Sequence, residues 1–154
     1  MQEITIRPAG LADIAHILHH RRAMFLDMGS ATNAELDPVL ATTEAFLQHA
    51  LPSGMYRGWL AQTSAGRVVA GAGITIVPWP GHPRDPAPRR GWVQNVYTEP
   101  DFRRQGLARR LMVAVVDWCR AEGFYTVSLH ASRDGRGLYE SMGFQATNEM
   151  RLAL

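Results

Sequence analysis

Apolar residues alternate with polar ones at the start of the chain and then recur at helical spacing. The segment Ile4–Arg7 alternates residue by residue, which predicts a first strand. From Leu11 to about Asp27, apolar positions recur every three or four residues, which predicts a helix with one buried face. A second stretch of this kind runs from about Pro38 to Leu51. We therefore expect one strand followed by two helices.

The middle of the chain favours strands. Gly58–Ala61 and Arg67–Val77 are rich in apolar residues and are joined by the polar turn Thr63–Gly66, which is typical of a hairpin. The segment Pro78–Gly91 contains five prolines and two glycines, so we expect an exposed loop that borders a site. Trp92–Glu99 predicts a fourth strand.

Helices and strands alternate in the remainder of the chain. Gly106–Glu122 has the clearest helical pattern, and Tyr125–His130 predicts a fifth strand. Asp134–Met142 predicts a short helix, and Phe144–Leu154 predicts one or two final strands. This order predicts an α/β (α+β) fold with a mixed, mostly antiparallel sheet and helices on both faces. We expect residues 1–154 to form a single domain.

Composition narrows the class of protein. No apolar run approaches the twenty or so residues that a membrane span needs, and no secretory signal is visible at the start. With Cys119 as the single cysteine, we expect a cytoplasmic protein without disulfides. All 16 basic residues are arginines, which excludes lysine-dependent P-loop and Schiff-base chemistry. The net charge of +2 is too small to predict nucleic-acid binding.

Several arginines cluster where the fourth predicted strand runs, through a short loop, into the helix with the clearest amphipathic pattern. In the segment Arg103–Ala108, Gly106 allows the backbone to approach a ligand closely. The free N–H groups of the first helical turn carry a positive partial charge that suits a pyrophosphate. Arg103, Arg104 and Arg109 add full positive charge. The alternative for so short a pattern is an ordinary turn with a solvated basic face.

This segment, Arg103-Arg104-Gln105-Gly106-Leu107-Ala108, resembles the Arg/Gln-x-x-Gly-x-Gly/Ala signature of the GNAT superfamily of acyl-CoA-dependent N-acetyltransferases. In that family the loop binds the CoA pyrophosphate through main-chain N–H groups, and the preceding strand binds the pantetheine arm. The resemblance assigns the pyrophosphate to Arg103, Arg104, Gln105, Gly106, Leu107, Ala108 and Arg109. It assigns the pantetheine arm to Val96, Tyr97 and Thr98, with Ser132 as a further polar residue nearby.

The resemblance also carries expectations about the sheet. In the family, two neighbouring parallel strands splay apart and CoA lies between them. Here these would be the fourth and fifth strands. A bulge in the fourth strand would turn one N–H toward the thioester carbonyl and so stabilise the developing oxyanion.

A second segment, Tyr139-Glu140-Ser141-Met142-Gly143-Phe144, resembles the Tyr-x-x-x-Gly-Phe pattern that follows in the same family. When an amine attacks a thioester, the leaving thiolate needs a proton, and a phenol at suitable distance can supply it. By resemblance, Tyr139 is this general acid. Its alternative role is that of a helix aromatic packed on the sheet.

The proton of the attacking amine needs an acceptor. Glu99, at the end of the fourth strand, is one candidate; its alternative role is that of a solvated carboxylate or an ion pair with Arg103 or Arg104. His130 is another candidate, and a water relay would need no side chain at all. The histidines of the first helix lack further ligands at metal-site spacing, so we expect no metal.

The function expected from these segments is transfer of an acetyl group from acetyl-CoA, the cosubstrate, to a primary amine of a small molecule. The alternatives are a protein or peptide amine as acceptor, or a non-catalytic acyl-CoA-binding regulatory module. Met28–Pro38 and Pro78–Gly91 would shape the acceptor pocket. We expect no nucleic-acid or membrane partner, and the resemblance leaves room for a homodimer.

Overall fold

A five-stranded sheet forms the centre of the molecule, which we describe from a computed structural model covering residues 2–154. The strands lie in chain order, and neighbours are antiparallel except for the last pair, which is parallel. They are β1 (Ile4–Pro8), β2 (Tyr56–Thr63), β3 (Val68–Pro78), β4 (Arg89–Thr98) and β5 (Val127–Leu129). The predicted mixed, mostly antiparallel sheet is therefore confirmed.

Helices of the described chain cover both faces of this sheet, as predicted. One face carries α1 (Ile14–Asp27) and α2 (Asn33–Ser53); the other carries α3 (Leu107–Ala121) and α4 (Arg136–Ser141). Short 3₁₀ turns at Leu11–Asp13 and Pro100–Phe102 precede α1 and α3. None of these helices is long and apolar enough to cross a bilayer.

Two buried clusters hold the layers together. On the α3 side, Leu111, Met112 and Val115 are fully buried against the central strands. Cys119 belongs to the same cluster, and burial raises the pKa of its thiol to about 11. On the other face, Leu47 lies among α1, α2 and β2. Burial of each large apolar side chain contributes about 1.5–3 kcal/mol to the stability of the fold. The two clusters therefore stabilise the packing of the helices on both faces of the sheet.

Capping sets the start of α2 earlier than the apolar spacing indicates. The helix begins at Asn33 rather than at the predicted Pro38. Thr32 Oγ1 accepts a hydrogen bond from the Glu35 amide (3.3 Å), and Glu35 Oε2 accepts one from the Thr32 amide (2.8 Å). This reciprocal capping box satisfies two free amides of the first turn. The helix ends at Ser53, and Gly54 follows with a φ of +79°, a left-handed value that favours glycine.

Strand pairing shifts three other predicted boundaries. β3 continues to Pro78 and β4 begins at Arg89, so the loop expected over Pro78–Gly91 is shorter at both ends. β5 is shorter than the predicted Tyr125–His130 because it pairs with β4 at only three positions. Each strand of the described chain ends where backbone hydrogen bonds to a neighbouring strand end.

The predicted strands over Phe144–Leu154 are wrong, since residues 144–154 form neither helix nor strand. No backbone–backbone hydrogen bond joins residues 145–154 to another part of the described chain. A cavity of about 330 Å³ separates it from β5. Side chains hold it instead, because Arg151 Nη2 lies 2.8 Å from His130 Nε2. The apolar side chains at its end therefore face solvent; Met150, for example, is 94% exposed.

Candidate active site

β4 and β5 are paired along only part of β4. The paired residues end at Val93 and Leu129, whereas β4 continues to Thr98. Backbone groups of residues 94–98 that point away from β3 therefore face a gap rather than another strand. This arrangement confirms the predicted splaying of the fourth and fifth strands.

A bulge in β4 lies where this gap opens. Gly71 of β3 pairs with Tyr97, but Gly73 pairs with Gln94, so one residue of β3 opposes two residues of β4. One of those two, Asn95, has a φ of +58°, which is unusual for a residue with a side chain. A bulge redirects backbone groups at this point, as the family resemblance predicts.

Side-chain hydrogen bonds hold the bulge in place on the α1 side of the sheet. Arg21 Nη1 donates to Asn95 Oδ1 at 2.8 Å, and Asn95 Nδ2 donates to the Tyr56 hydroxyl at 3.0 Å. Burial raises the pKa of Tyr56 to about 12, so this phenol stays neutral. Sequence reasoning missed all three residues, because the contacts span separate elements and no motif marks them.

The loop before α3 presents a row of unpaired amides. The first bonded amide of the helix is that of Arg110, which donates to the Gly106 carbonyl at 3.0 Å. The amides of residues 105–109 donate to no carbonyl of the described chain. Arg104 and Gly106 both have positive φ values, +60° and +77°. Such a backbone concavity at a helix N-terminus binds anions such as pyrophosphate.

The arginines in and next to this loop differ in whether their side chains already contact other residues. Arg103 Nε donates to the Thr98 carbonyl at 2.9 Å, and its Nη2 contacts Asp27, which raises the pKa of this arginine. Arg109 Nη2 donates to Ser141 Oγ. Arg104 is exposed, and its side chain has no partner among residues 2–154. Arg104 is therefore the cation that is free to meet a phosphate.

Tyr139 lies on α4 and borders the cavity beside β5. Its ring is 8% exposed and packs edge-on against Phe144, with 5.8 Å between ring centres. Its hydroxyl forms no hydrogen bond with the described residues, and burial raises its pKa. The phenol therefore stays protonated at neutral pH and can serve both as a packed aromatic and as a proton donor.

Glu99 follows β4 and contacts α1. Its Oε1 lies 2.6 Å from His19 Nε2, so its partner is a histidine rather than Arg103 or Arg104. The contact lies on the α1 face of the sheet, whereas Tyr139 packs on the α3 face. The sequence did not link Glu99 with His19, because 80 positions separate them.

Two further predicted residues have visible structural roles. Ser132 Oγ accepts a hydrogen bond from the Gly135 amide at 3.1 Å and so organises the turn before α4. His130 stacks on Trp92, with 5.2 Å between ring centres. Within residues 2–154, no group of three or more His, Cys, Asp or Glu residues is arranged to hold a metal ion.

Comparison with known proteins agrees with this geometry. Residues 21–144 match the model of the acetyltransferase (GNAT) family. Glucosamine 6-phosphate N-acetyltransferase from Trypanosoma brucei brucei is 34% identical over 65 residues, which cover 42% of this chain and 44% of that protein. The match thus spans less than half of that curated relative.

Two solved structures match over nearly the whole chain. A GCN5-related N-acetyltransferase from Ralstonia eutropha JMP134 is 30% identical, with 99% of both chains covered and a TM-score of 0.92. A predicted acetyltransferase with acetyl-CoA from Clostridium acetobutylicum is 26% identical, with 99% of this chain and 96% of that one covered and a TM-score of 0.88.

Proposed function

The chain belongs to the GNAT family of acetyltransferases, and from this premise we propose that it transfers the acetyl group of acetyl-CoA to a primary amine of a small molecule. The observation that carries the proposal is the row of free amides at residues 105–109, which lies at the end of the strand that borders the gap. A single extended ligand could occupy both places.

Acetyl-CoA fits this arrangement in three parts. The amides of residues 105–109 would bind the pyrophosphate, with Arg104 adding charge. The backbone groups of Val96, Tyr97 and Thr98 that point into the gap, apart from the Thr98 carbonyl that Arg103 engages, would bind the pantetheine arm in place of a neighbouring strand. The thioester would then lie near the bulge at Asn95, where a redirected amide can stabilise the oxyanion. The relative from Clostridium acetobutylicum supports this choice of donor.

The chemistry is direct attack. The amine loses a proton to Glu99, directly or through His19 or a water molecule, and its nitrogen bonds to the thioester carbon. The carbon–sulfur bond then breaks, and the CoA thiolate takes the proton of Tyr139. The nitrogen loses its second proton to the medium as the amide forms, Glu99 releases the proton that it accepted, and Tyr139 recovers one. The products are therefore the acetylated amine, CoA and one net proton.

The test is CoA release by the purified chain from acetyl-CoA in the presence of polyamines, amino acids, aminoglycosides, amino sugars and peptides. We expect small amines to promote release. Release with peptides alone would favour a protein acceptor, and binding of acetyl-CoA without any release would favour a regulatory module. If calorimetry detects no binding of acetyl-CoA, the proposal is wrong. A homodimer and a cytoplasmic location stay predictions.

A further inference from the structure

Arg21 differs from the other arginines of the described chain that are not exposed. Arg7, Arg22, Arg89 and Arg90 each have a carboxylate oxygen within 4.0 Å. No carboxylate of residues 2–154 lies that close to Arg21. Arg21 is thus a half-buried cation without an anionic partner, although the chain provides one for each comparable arginine.

The groups shown in contact with the Arg21 guanidinium are neutral. Its Nη1 donates to Asn95 Oδ1 at 2.8 Å, and its central carbon lies 5.0 Å from the centre of the Phe25 ring. Its Nε is buried without an acceptor, and its Nη2 has no partner among the described residues. Removing a cation from water without a counter-ion is unfavourable, so this site would be stabilised by an anion.

The position of Arg21 connects it with the proposed reaction. Its partner Asn95 forms the bulge of β4, two residues beyond Val93, the last residue of β4 that pairs with β5. Arg21 also lies on the α1 face, which carries the contact between His19 and Glu99. The guanidinium therefore adjoins the place where the acetyl group and the incoming amine would meet.

We infer that Arg21 binds an anionic group, a carboxylate or a phosphate, on the amine acceptor. This inference rests on the proposed function and narrows its substrate class. The planar guanidinium suits both anions, because its N–H groups match a pair of oxygens. It also repels acceptors that carry only positive charge, such as polyamines. An acceptor that brings an acidic group would supply the counter-ion that the folded chain lacks.

The experiment compares amines that differ only in the anionic group. One pair is leucine and leucinol, which tests a carboxylate; the other is glucosamine 6-phosphate and glucosamine, which tests a phosphate. For each amine, kcat/KM is measured with wild type, Arg21→Met, Arg21→Lys and Arg22→Met. Arg22 is the matched control, because it lies on the same helix but pairs with Asp37 at 2.7 Å.

With wild type, we expect the anionic member of at least one pair to be preferred by about ten- to a hundred-fold, the value of a charged hydrogen bond. Arg21→Met should remove this preference, Arg21→Lys should retain part of it, and Arg22→Met should leave it unchanged. Equal use of both members by wild type would overturn the inference. So would an equal loss for both members in Arg21→Met, because Arg21 would then only position Asn95.

A binding measurement separates this inference from the proposed function. Calorimetry in the presence of CoA compares the same amine pairs on wild type and Arg21→Met, with circular dichroism to check that the variant is folded. Binding of an anionic amine that depends on Arg21, without acetyl transfer, would sustain the anion site and contradict the proposed function. Acetyl transfer to neutral or cationic amines that is insensitive to Arg21→Met would sustain the proposed function and contradict the anion site.

Discussion

Tyr139 combines burial with a hydroxyl that no described residue engages. We expect Tyr139→Phe to lower kcat by a hundred-fold or more, since general acids typically contribute about 10²–10⁴-fold. Affinity for acetyl-CoA should change little, because the free amides at residues 105–109 lie on another element. Steady-state kinetics and calorimetry measure the two quantities. Tyr125→Phe is the control, since this tyrosine is 65% exposed and lies outside the site. Unchanged turnover would remove Tyr139 from the acid role.

We expect His20 to make the free energy of unfolding depend on pH. Burial lowers its pKa from 6.5 to about 4, and its Nε2 has no hydrogen-bond partner in the described chain. Between these values the unfolded chain binds more protons, so the free energy of unfolding should fall as the pH drops from about 6.5 to about 4. The largest loss that one such shift allows is on the order of 3 kcal/mol.

Urea unfolding at a series of pH values measures this effect in wild type and in His20→Gln. The variant lacks the titrating group, so its stability should vary less across the same window. Other acidic groups titrate in both proteins and cancel in the difference. An identical pH dependence would mean that His20 does not contribute.

At the scale of single elements, the loop before α3 is defined by backbone conformation. Gly106 has a φ of +77° and open space at the position of a side chain. Gly106→Ala should cost about 1–2 kcal/mol of stability, the penalty for a left-handed L-residue. It should also weaken acetyl-CoA binding, because the amides that follow would change direction.

Gly123 provides a closely matched control at the other end of α3. Its φ is +79°, and it too has open space around the added carbon. Gly123→Ala should therefore lose a similar amount of stability while keeping wild-type affinity for acetyl-CoA. Thermal unfolding and calorimetry on both variants provide the comparison. Equal affinities in the two variants would contradict the role of the loop.

Helices, strands and turns could be predicted from the sequence where the pattern of their own residues determines the local structure. The periodic pattern of α3 and the turn at Thr63–Gly66 are local signals, and both predictions are confirmed. The length of β5 and the state of residues 144–154 depend on partners that the local pattern does not reveal. In the same way, the motif identified the loop at Gly106, whereas the contact of Arg21 with Asn95 exists only after folding.

At the scale of the whole molecule, the proposed donor would connect elements that otherwise diverge. The gap separates β4 from β5 beyond Val93, and no strand of the described chain fills it. Acetyl-CoA would contact the start of α3, the open edge of β4 and the region of Tyr139 at once. It would bind the folded chain and not the unfolded one, so it should stabilise the fold by mass action.

At a concentration one hundred times its dissociation constant, such a ligand adds about 2.7 kcal/mol, which raises Tm by about 6–10 °C for a domain of this size. Differential scanning calorimetry measures the shift. The control ligand is S-acetyl-N-acetylcysteamine, which carries the thioester but no pyrophosphate and should shift Tm far less at equal concentration. Gly106→Ala should reduce the shift caused by acetyl-CoA, whereas Gly123→Ala should preserve it. A shift of equal size with both ligands would mean that stabilisation arises in the gap alone, without the amides at residues 105–109.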